Sequence, residues 1–210
     1  MISVEEAQQI VLAGIGVLEP ERVDTLSALG RVLAEDVVSD IDVAPFDNSA
    51  MDGYAVRAAD VAGASEDAPV RLAVVEHVPA GAFPQLPVGP GQATRIMTGA
   101  PVPEGADAVV MVERTAEEDD RATAVIMAPV RAGENIRRKG EDVRAGQIVM
   151  ERGEVVSAAA VGLMAAVGCA RPLVYRRPRV ACVATGDELV DITEFPGPGK
   201  IRNSNTYSLA

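Results

Sequence analysis

Ala44-Pro45-Phe46-Asp47-Asn48-Ser49-Ala50-Met51-Asp52-Gly53-Tyr54-Ala55-Val56-Arg57 is the stretch around which this chain is organised. Asp47 and Asp52 lie five positions apart, with Asn48 and Ser49 between them. Asp52-Gly53 marks a turn, because glycine accepts a positive φ without steric cost. Asn48 and Ser49 can bond nearby backbone and stiffen a loop. Such a loop gathers several oxygens in one place, which suits a hard cation such as Mg²⁺ or a polar ligand. Residue types alone equally allow an ordinary capped turn between two elements.

Upstream, Ser3 and Glu6 fit a capping box. Ala7, Ile10, Val11, Gly14 and Leu18 then recur at helical spacing, and Pro20 ends that helix. A second short helix is expected over 25–34, with Leu26, Leu29, Val32 and Leu33 on its buried side. Asp36-Val37-Val38 leads out as an extended segment. Downstream of the loop, apolar β-branched runs at 70–76, 92–97, 108–113 and 122–128 are separated by Gly and Pro, the mark of a β-rich domain. Thr98 directly follows one of these runs. A hydroxyl at a strand end can reach a ligand, or it can serve a turn.

Residues 143–156 read as a hairpin turning at Ala145-Gly146 and Arg152-Gly153. Ser157 is a good N-cap for a helix over 158–167, and Gly168 suits the C′ position. That helix is crowded with small residues, so it can pack closely; we assign it to the lobe of the N-terminal helices. Arg179-Val180-Ala181-Cys182-Val183-Ala184 reads as a buried parallel strand. Thr185-Gly186-Asp187-Glu188 lies at its C-terminal end, where open α/β sheets bind ligands. Asn203-Ser204-Asn205 resembles a helix cap. One strand and part of a helix cannot bury a parallel sheet, so residues after about 177 are expected to be poorly ordered or to pair with another chain.

The fold expectation is therefore mixed α and β and multidomain. A discontinuous helical lobe (1–42 and 140–175) carries an inserted β-rich domain (43–139), and the truncated start of an α/β domain follows (176–210). At 210 residues and 48% hydrophobic, the chain can bury a real core, yet holds no apolar run long enough to span a bilayer. Its opening is acidic and then amphipathic, unlike a signal peptide. A net charge of −12 disfavours nonspecific nucleic-acid binding. Positive charge is nonetheless clustered at Arg137-Arg138-Lys139, beside Glu141 and Asp142, where cations and carboxylates can hold an anion and its metal together. A second cluster, Arg176, Arg177 and Arg179, reads as a solvated turn. Cys169 and Cys182 lack metal-ligand spacing and read as reduced core residues. His77, the lone histidine, reads as a strand or surface residue.

The run from Phe46 to Arg57 resembles the signature of the MoeA family, the molybdopterin molybdenumtransferases, shared with the E domain of gephyrin. Four further stretches fit in the same order: Arg95-Ile96-Met97-Thr98-Gly99-Ala100-Pro101-Val102-Pro103-Glu104-Gly105-Ala106-Asp107, then Gly133 to Asp142, Thr185 to Leu189, and Ile201 to Asn205. The resemblance covers essentially the whole chain, which corresponds to the N-terminal half of the family. It implies the same discontinuous lobe, and it identifies the last segment as the start of the molybdopterin-binding domain.

The resemblance implies an enzyme of molybdenum cofactor biosynthesis. The reaction inserts molybdenum from molybdate into adenylylated molybdopterin, with Mg²⁺ and loss of AMP. Asp52, Thr98, Asp142 and Glu188 match the family's functional positions and are read as catalytic, with Asp52 and Glu188 also as metal ligands. Ser49 and Asp187 are read as substrate-binding, as is Arg137, an oxyanion partner suggested by its own charge. The resemblance further implies a homodimer in the cytoplasm, with an upstream molybdopterin adenylyltransferase as a candidate partner; charge and hydropathy point to neither nucleic acid nor membrane. The glycine-rich pterin loop is expected beyond Ala210, so the 210-residue chain alone is expected to be inactive. The rival reading is a non-catalytic dimerisation or interaction module of the same family. A Mg²⁺-dependent phosphohydrolase ranks last, for want of a nucleophile or a paired metal motif.

Overall fold

The computed structural model describes residues 2–117 and 122–209. The chain divides into two compact units, one formed by residues 22–174 and the other by 1–21 with 175–210. Helix and strand are mixed, as expected. Among the described residues no helix is long and apolar enough to cross a membrane.

The larger unit is built on a six-stranded sheet. Its spatial order is Ala108–Met111, Gly53–Val56, Gln92–Ile96, Val70–Val78, Thr123–Ile126 and Thr115–Glu117. Neighbours run antiparallel, except that Val70–Val78 and Gln92–Ile96 run parallel. A parallel pair needs a long crossover, and residues 79–91 supply it as irregular, proline-rich chain. The carboxylate of Glu76 pins that crossover by accepting the N–H groups of Gln85 and Leu86 at 3.0 Å.

Successive side chains in a strand point to opposite faces, and here both faces are covered. Tyr54, Val56, Leu72, Val110 and Ile126 pack in one core with Val61. Ala55, Val78, Ile96, Ala100 and Val109 form another. Gly53–Val56 is consequently buried at every position. Each buried Val, Leu or Ile contributes roughly 1.5–3 kcal/mol, so the strand that begins beside Asp52 is firmly fixed.

A further core in the same unit draws residues from either side of the sheet in sequence. Leu33 and Val37 pack with Met150, Val156, Met164, Val167 and Val174. Val37–Val38 pairs antiparallel with Ile148–Met150, and isolated bridges join Val32 to Val155, Leu33 to Val174 and Val43 to Val143. The turns at Gly146 and Gly153 are present, both with positive φ, but 143–156 does not fold on itself as a hairpin. Its strand takes its partner from the N-terminal side, where Val37 adds a fully buried side chain to the shared core. The helix Ala158–Ala166 is capped as predicted, the Ala160 N–H donating to Ser157 Oγ at 3.1 Å, and Gly168 follows with φ of 79°. It packs on the short 3-10 helix Thr25–Ala28.

That 3-10 turn replaces the helix expected over 25–34. Leu29 is already extended (ψ 127°) and Gly30 has φ of 73°, so the chain leaves helical geometry there. Leu26 and Leu29 are exposed rather than buried. The first segment is thus less helical than its apolar spacing suggests.

In the smaller unit the helix Val4–Ala13 is capped by Ser3, whose Oγ accepts the Glu6 N–H at 3.1 Å. It stops at Gly14, short of Leu18, and buries none of its residues. It belongs to the unit of residues 1–21 and 175–210, and the helix Ala158–Ala166 belongs to the unit of residues 22–174. Residues 179–184 form no strand; Val180 and Val183 are about four-fifths exposed, at 79% and 81%. No other described segment offers them a ladder, and an apolar run without one stays irregular. The parallel pair in this unit is instead Leu189–Val190 with Ile201–Arg202. The expected cap is present, with the Thr206 N–H donating to Asn203 Oδ1 ahead of the helix Asn205–Leu209. Cys169 and Cys182 are free thiols and only half-buried. His77 is an exposed strand residue.

Candidate functional site

Antiparallel pairing sets Gly53 opposite Ile96. Asp52 precedes one member of that pair and Thr98 follows the other by two residues, so the ladder delivers both to the same end of the sheet. There Asp52 Oδ1 accepts the Thr98 N–H at 2.7 Å and the Thr98 hydroxyl at 2.8 Å. Both donors favour the charged carboxylate. They hold Asp52 below the usual carboxylate range, the N–H most strongly, with a smaller contribution from the positive charge of Arg95. Asp52 Oδ2 has no partner among the described residues.

The loop around this pair is zipped shut by backbone. Gly99 N–H donates to Ser49 O at 2.8 Å, Ser49 N–H to Ala100 O at 3.0 Å, and Val102 N–H to Asp47 O at 3.0 Å. Gly53 is required by close approach, since a Cβ there would lie 2.0 Å from the carbonyl oxygen of Val110. Ser49, expected to bind substrate, is fully buried. Its hydroxyl donates to Met51 O and accepts the Met51 N–H, so in this chain it braces the loop instead of facing solvent.

Two of the three clustered cations are committed locally. Arg138 pairs with Asp47 at 2.7 Å, and Lys139 Nζ lies 3.3 Å from Asp42. Asp47 also accepts the Lys139 N–H at 2.8 Å, and these contacts lower its pKa, that N–H foremost. Asp42 is lowered chiefly by the Ala145 N–H and then by Lys139. Arg137 sits opposite Asn48 in a short ladder, exposed, with its guanidinium unpaired among the described residues. Asp142 is exposed; its N–H donates to Val43 O at 3.1 Å, and its carboxylate makes no bond to the Asp52–Thr98 pair.

Asp187 and Glu188 belong to the smaller unit and are exposed. Glu188 lines a cavity of about 600 Å³ with Thr185, Asn203, Ser204 and Thr206. The Asp187 carbonyl accepts from Lys200 Nζ. Among the described residues no three His, Cys, Asp or Glu side chains converge on a metal position.

Sequence reading assigns no role to Asn135 or Arg95. Asn135 adopts φ of 60°, donates its amide to Val109 O at 2.8 Å, and accepts the Ala50 N–H at 2.9 Å. It ties the loop to the neighbouring strand. Its signal in the sequence is an asparagine one residue beyond Gly133-Glu134, a side chain that tolerates left-handed backbone. Arg95 carries no such signal; its part depends on pairing across strands.

Residues 2–168 match the family model described as the MoeA N-terminal region (domain I and II). This chain belongs to the MoeA family. Its relatives include the molybdopterin molybdenumtransferase of Nostoc sp., 44% identical over 192 residues, which covers 91% of this chain and 44% of that protein. Molybdopterin molybdenumtransferase 2 of Mycobacterium tuberculosis is 45% identical over 210 residues, covering 100% of this chain and 51% of the relative. Among solved structures, a molybdopterin biosynthesis MoeA protein of Pyrococcus horikoshii superposes with a TM-score of 0.85 at 36% identity, over 100% of this chain and 55% of that one. The MoeA-family chain thus spans about half the length of the curated relatives it matches.

Proposed function

We propose that this MoeA-family chain carries the Asp52–Thr98 part of a site that inserts molybdenum from molybdate into adenylylated molybdopterin, releasing AMP. The supporting observation is the doubly bonded Asp52 carboxylate at the open end of a buried strand. Two donors fix Oδ1 and favour the ionised form, which leaves Oδ2 charged and oriented. Thr98 is itself held by the bond it donates, so its hydroxyl oxygen keeps a defined direction for a second partner. Arg137, whose guanidinium is unpaired among the described residues, offers a cation to an oxyanion.

The donor set fits Mg²⁺ in a limited way. Mg²⁺ commonly takes one or two carboxylates and fills its shell with water and substrate oxygens. Asp52 Oδ2 meets that need in the larger unit, and Glu188 is a separate candidate carboxylate of the smaller unit. When bound, the metal would offset the charge of two anionic reactants. The reading extends to a two-fold dimer and a cytoplasmic setting, both drawn from family resemblance. Asp142 and Asp187 enter as further acidic groups of the same reading. Replacing Asp52 by Asn in a full-length family context tests it. Molybdenum insertion is expected to fall while folding is retained.

A further inference from the structure

Arg95 lies in the strand Gln92–Ile96, paired with Tyr54 across the antiparallel ladder. Its guanidinium stands over the Tyr54 ring at 5.3 Å from the centroid. One of its nitrogens, Nη1, donates to Gly53 O at 2.9 Å and to Ile96 O at 3.2 Å. Those carbonyls belong to the residue after Asp52 and to the residue two before Thr98. The same planar group therefore ties the two strand ends that carry the Asp52–Thr98 pair.

We propose that Arg95 is a positioning residue that fixes the spacing of the two strand ends bearing Asp52 and Thr98; its relevance to catalysis rests on the function proposed above. The geometry favours arginine over lysine. A guanidinium offers several donors in a fixed plane and stacks on an aromatic face, whereas an ammonium is a mobile point charge. Tyr54 is 2% exposed and cannot move aside, so the stack limits where the guanidinium can sit. A plain filler of the sheet would need neither the charge nor the two carbonyl contacts. The position also explains how a half-buried arginine is tolerated, since its donors meet backbone carbonyls and its face meets a ring.

The test uses the 210-residue chain and no substrate. Exchange of the Thr98 amide proton with solvent is followed by NMR at constant pH for the wild type, Arg95→Met and Arg95→Lys. The Val74 amide, which donates to Ala122 O at 2.8 Å in the same sheet, serves as the control. Arg95→Met keeps bulk against Tyr54 and removes both carbonyl contacts; the Thr98 amide should exchange faster while the Val74 amide keeps its wild-type rate. Arg95→Lys, which lacks the planar fork, should also speed Thr98 exchange. Wild-type Thr98 exchange in a folded Arg95→Met protein overturns the proposal, as does equal acceleration of both amides. Should Arg95→Met fail to fold, Arg95→Lys decides, and unchanged Thr98 exchange overturns it. Because no substrate is involved, this result can fail while Asp52 still proves essential for molybdenum insertion, and the reverse also holds.

Discussion

Asp52 Oδ1 takes both donors of Thr98, the backbone N–H at 2.7 Å and the hydroxyl at 2.8 Å. The two residues are 46 positions apart, and the ladder between Gly53–Val56 and Gln92–Ile96 makes the meeting possible. Thr98→Val retains the N–H donor and removes the hydroxyl. The Asp52 carboxylate should then titrate at higher pH than in the wild type, though still on the depressed side, because the N–H is the larger influence. Carboxyl-carbon NMR reads this directly, and an unmoved titration would mean that the hydroxyl bond does not form in solution.

Asp47 serves the loop. It holds Arg138 at 2.7 Å and the Lys139 N–H at 2.8 Å, with about two-fifths of its side chain exposed, at 41%. Solvent screening limits such a pair. Asp47→Ala should therefore cost about 1 kcal/mol, mostly through the lost N–H acceptor. Urea unfolding gives the value, and a cost near zero would argue that the loop stands without it.

Gly53→Ala should be far more damaging. The added Cβ would meet Val110 O at 2.0 Å, Val110 C at 2.9 Å and Met111 Cα at 3.0 Å, all backbone. The strand would have to shift, at a cost of roughly 2 kcal/mol or more. A variant that melts within a degree or two of the wild type (a shift well under ~1 kcal/mol) would contradict the close packing of those strands.

Acid should destabilise the larger unit through named carboxylates. Glu35, Asp42, Asp47 and Asp52 are all lowered, by Arg22, by the Ala145 N–H, by the Lys139 N–H and by the Thr98 N–H respectively as first cause. A depressed carboxylate contributes stability that is fully present above its unfolded pKa of about 4. That contribution is lost as pH falls through the folded value. Melting temperature should therefore be level near neutrality and drop below about pH 4. Asp47→Asn should drop less steeply over the same range.

Much of this was legible in sequence, and the exceptions share a cause. The β-rich runs, Ser3 and Ser157 as caps, Gly168 at the C′ position and Thr98 at a strand end all depend on near neighbours. Such features are local chemistry, and the structure carries each of them. The strand Ile148–Met150 has the right turns on either side, but its partner is Val37–Val38, which no local pattern reveals. Residues 25–34 have helical apolar spacing, yet Leu33 is needed in a core shared with Met164 and Val174, and Gly30 turns the chain toward it. Arg95 escaped for the same reason, because its partners Gly53 and Tyr54 are neighbours only through the sheet. Ser49 has a ligand-binding residue type, while its burial is a tertiary fact.

The central claim is that Asp52 contributes its charge to molybdenum insertion. Asp52→Asn keeps the size of the side chain and an oxygen to accept from Thr98, and removes only the charge. The decisive measurement is single-turnover molybdenum insertion into adenylylated molybdopterin by a full-length MoeA-family protein carrying this N-terminal half, beside its melting curve. Insertion should fall at least about tenfold with the melting midpoint retained. Full activity in Asp52→Asn, or a loss that tracks unfolding, would contradict the account.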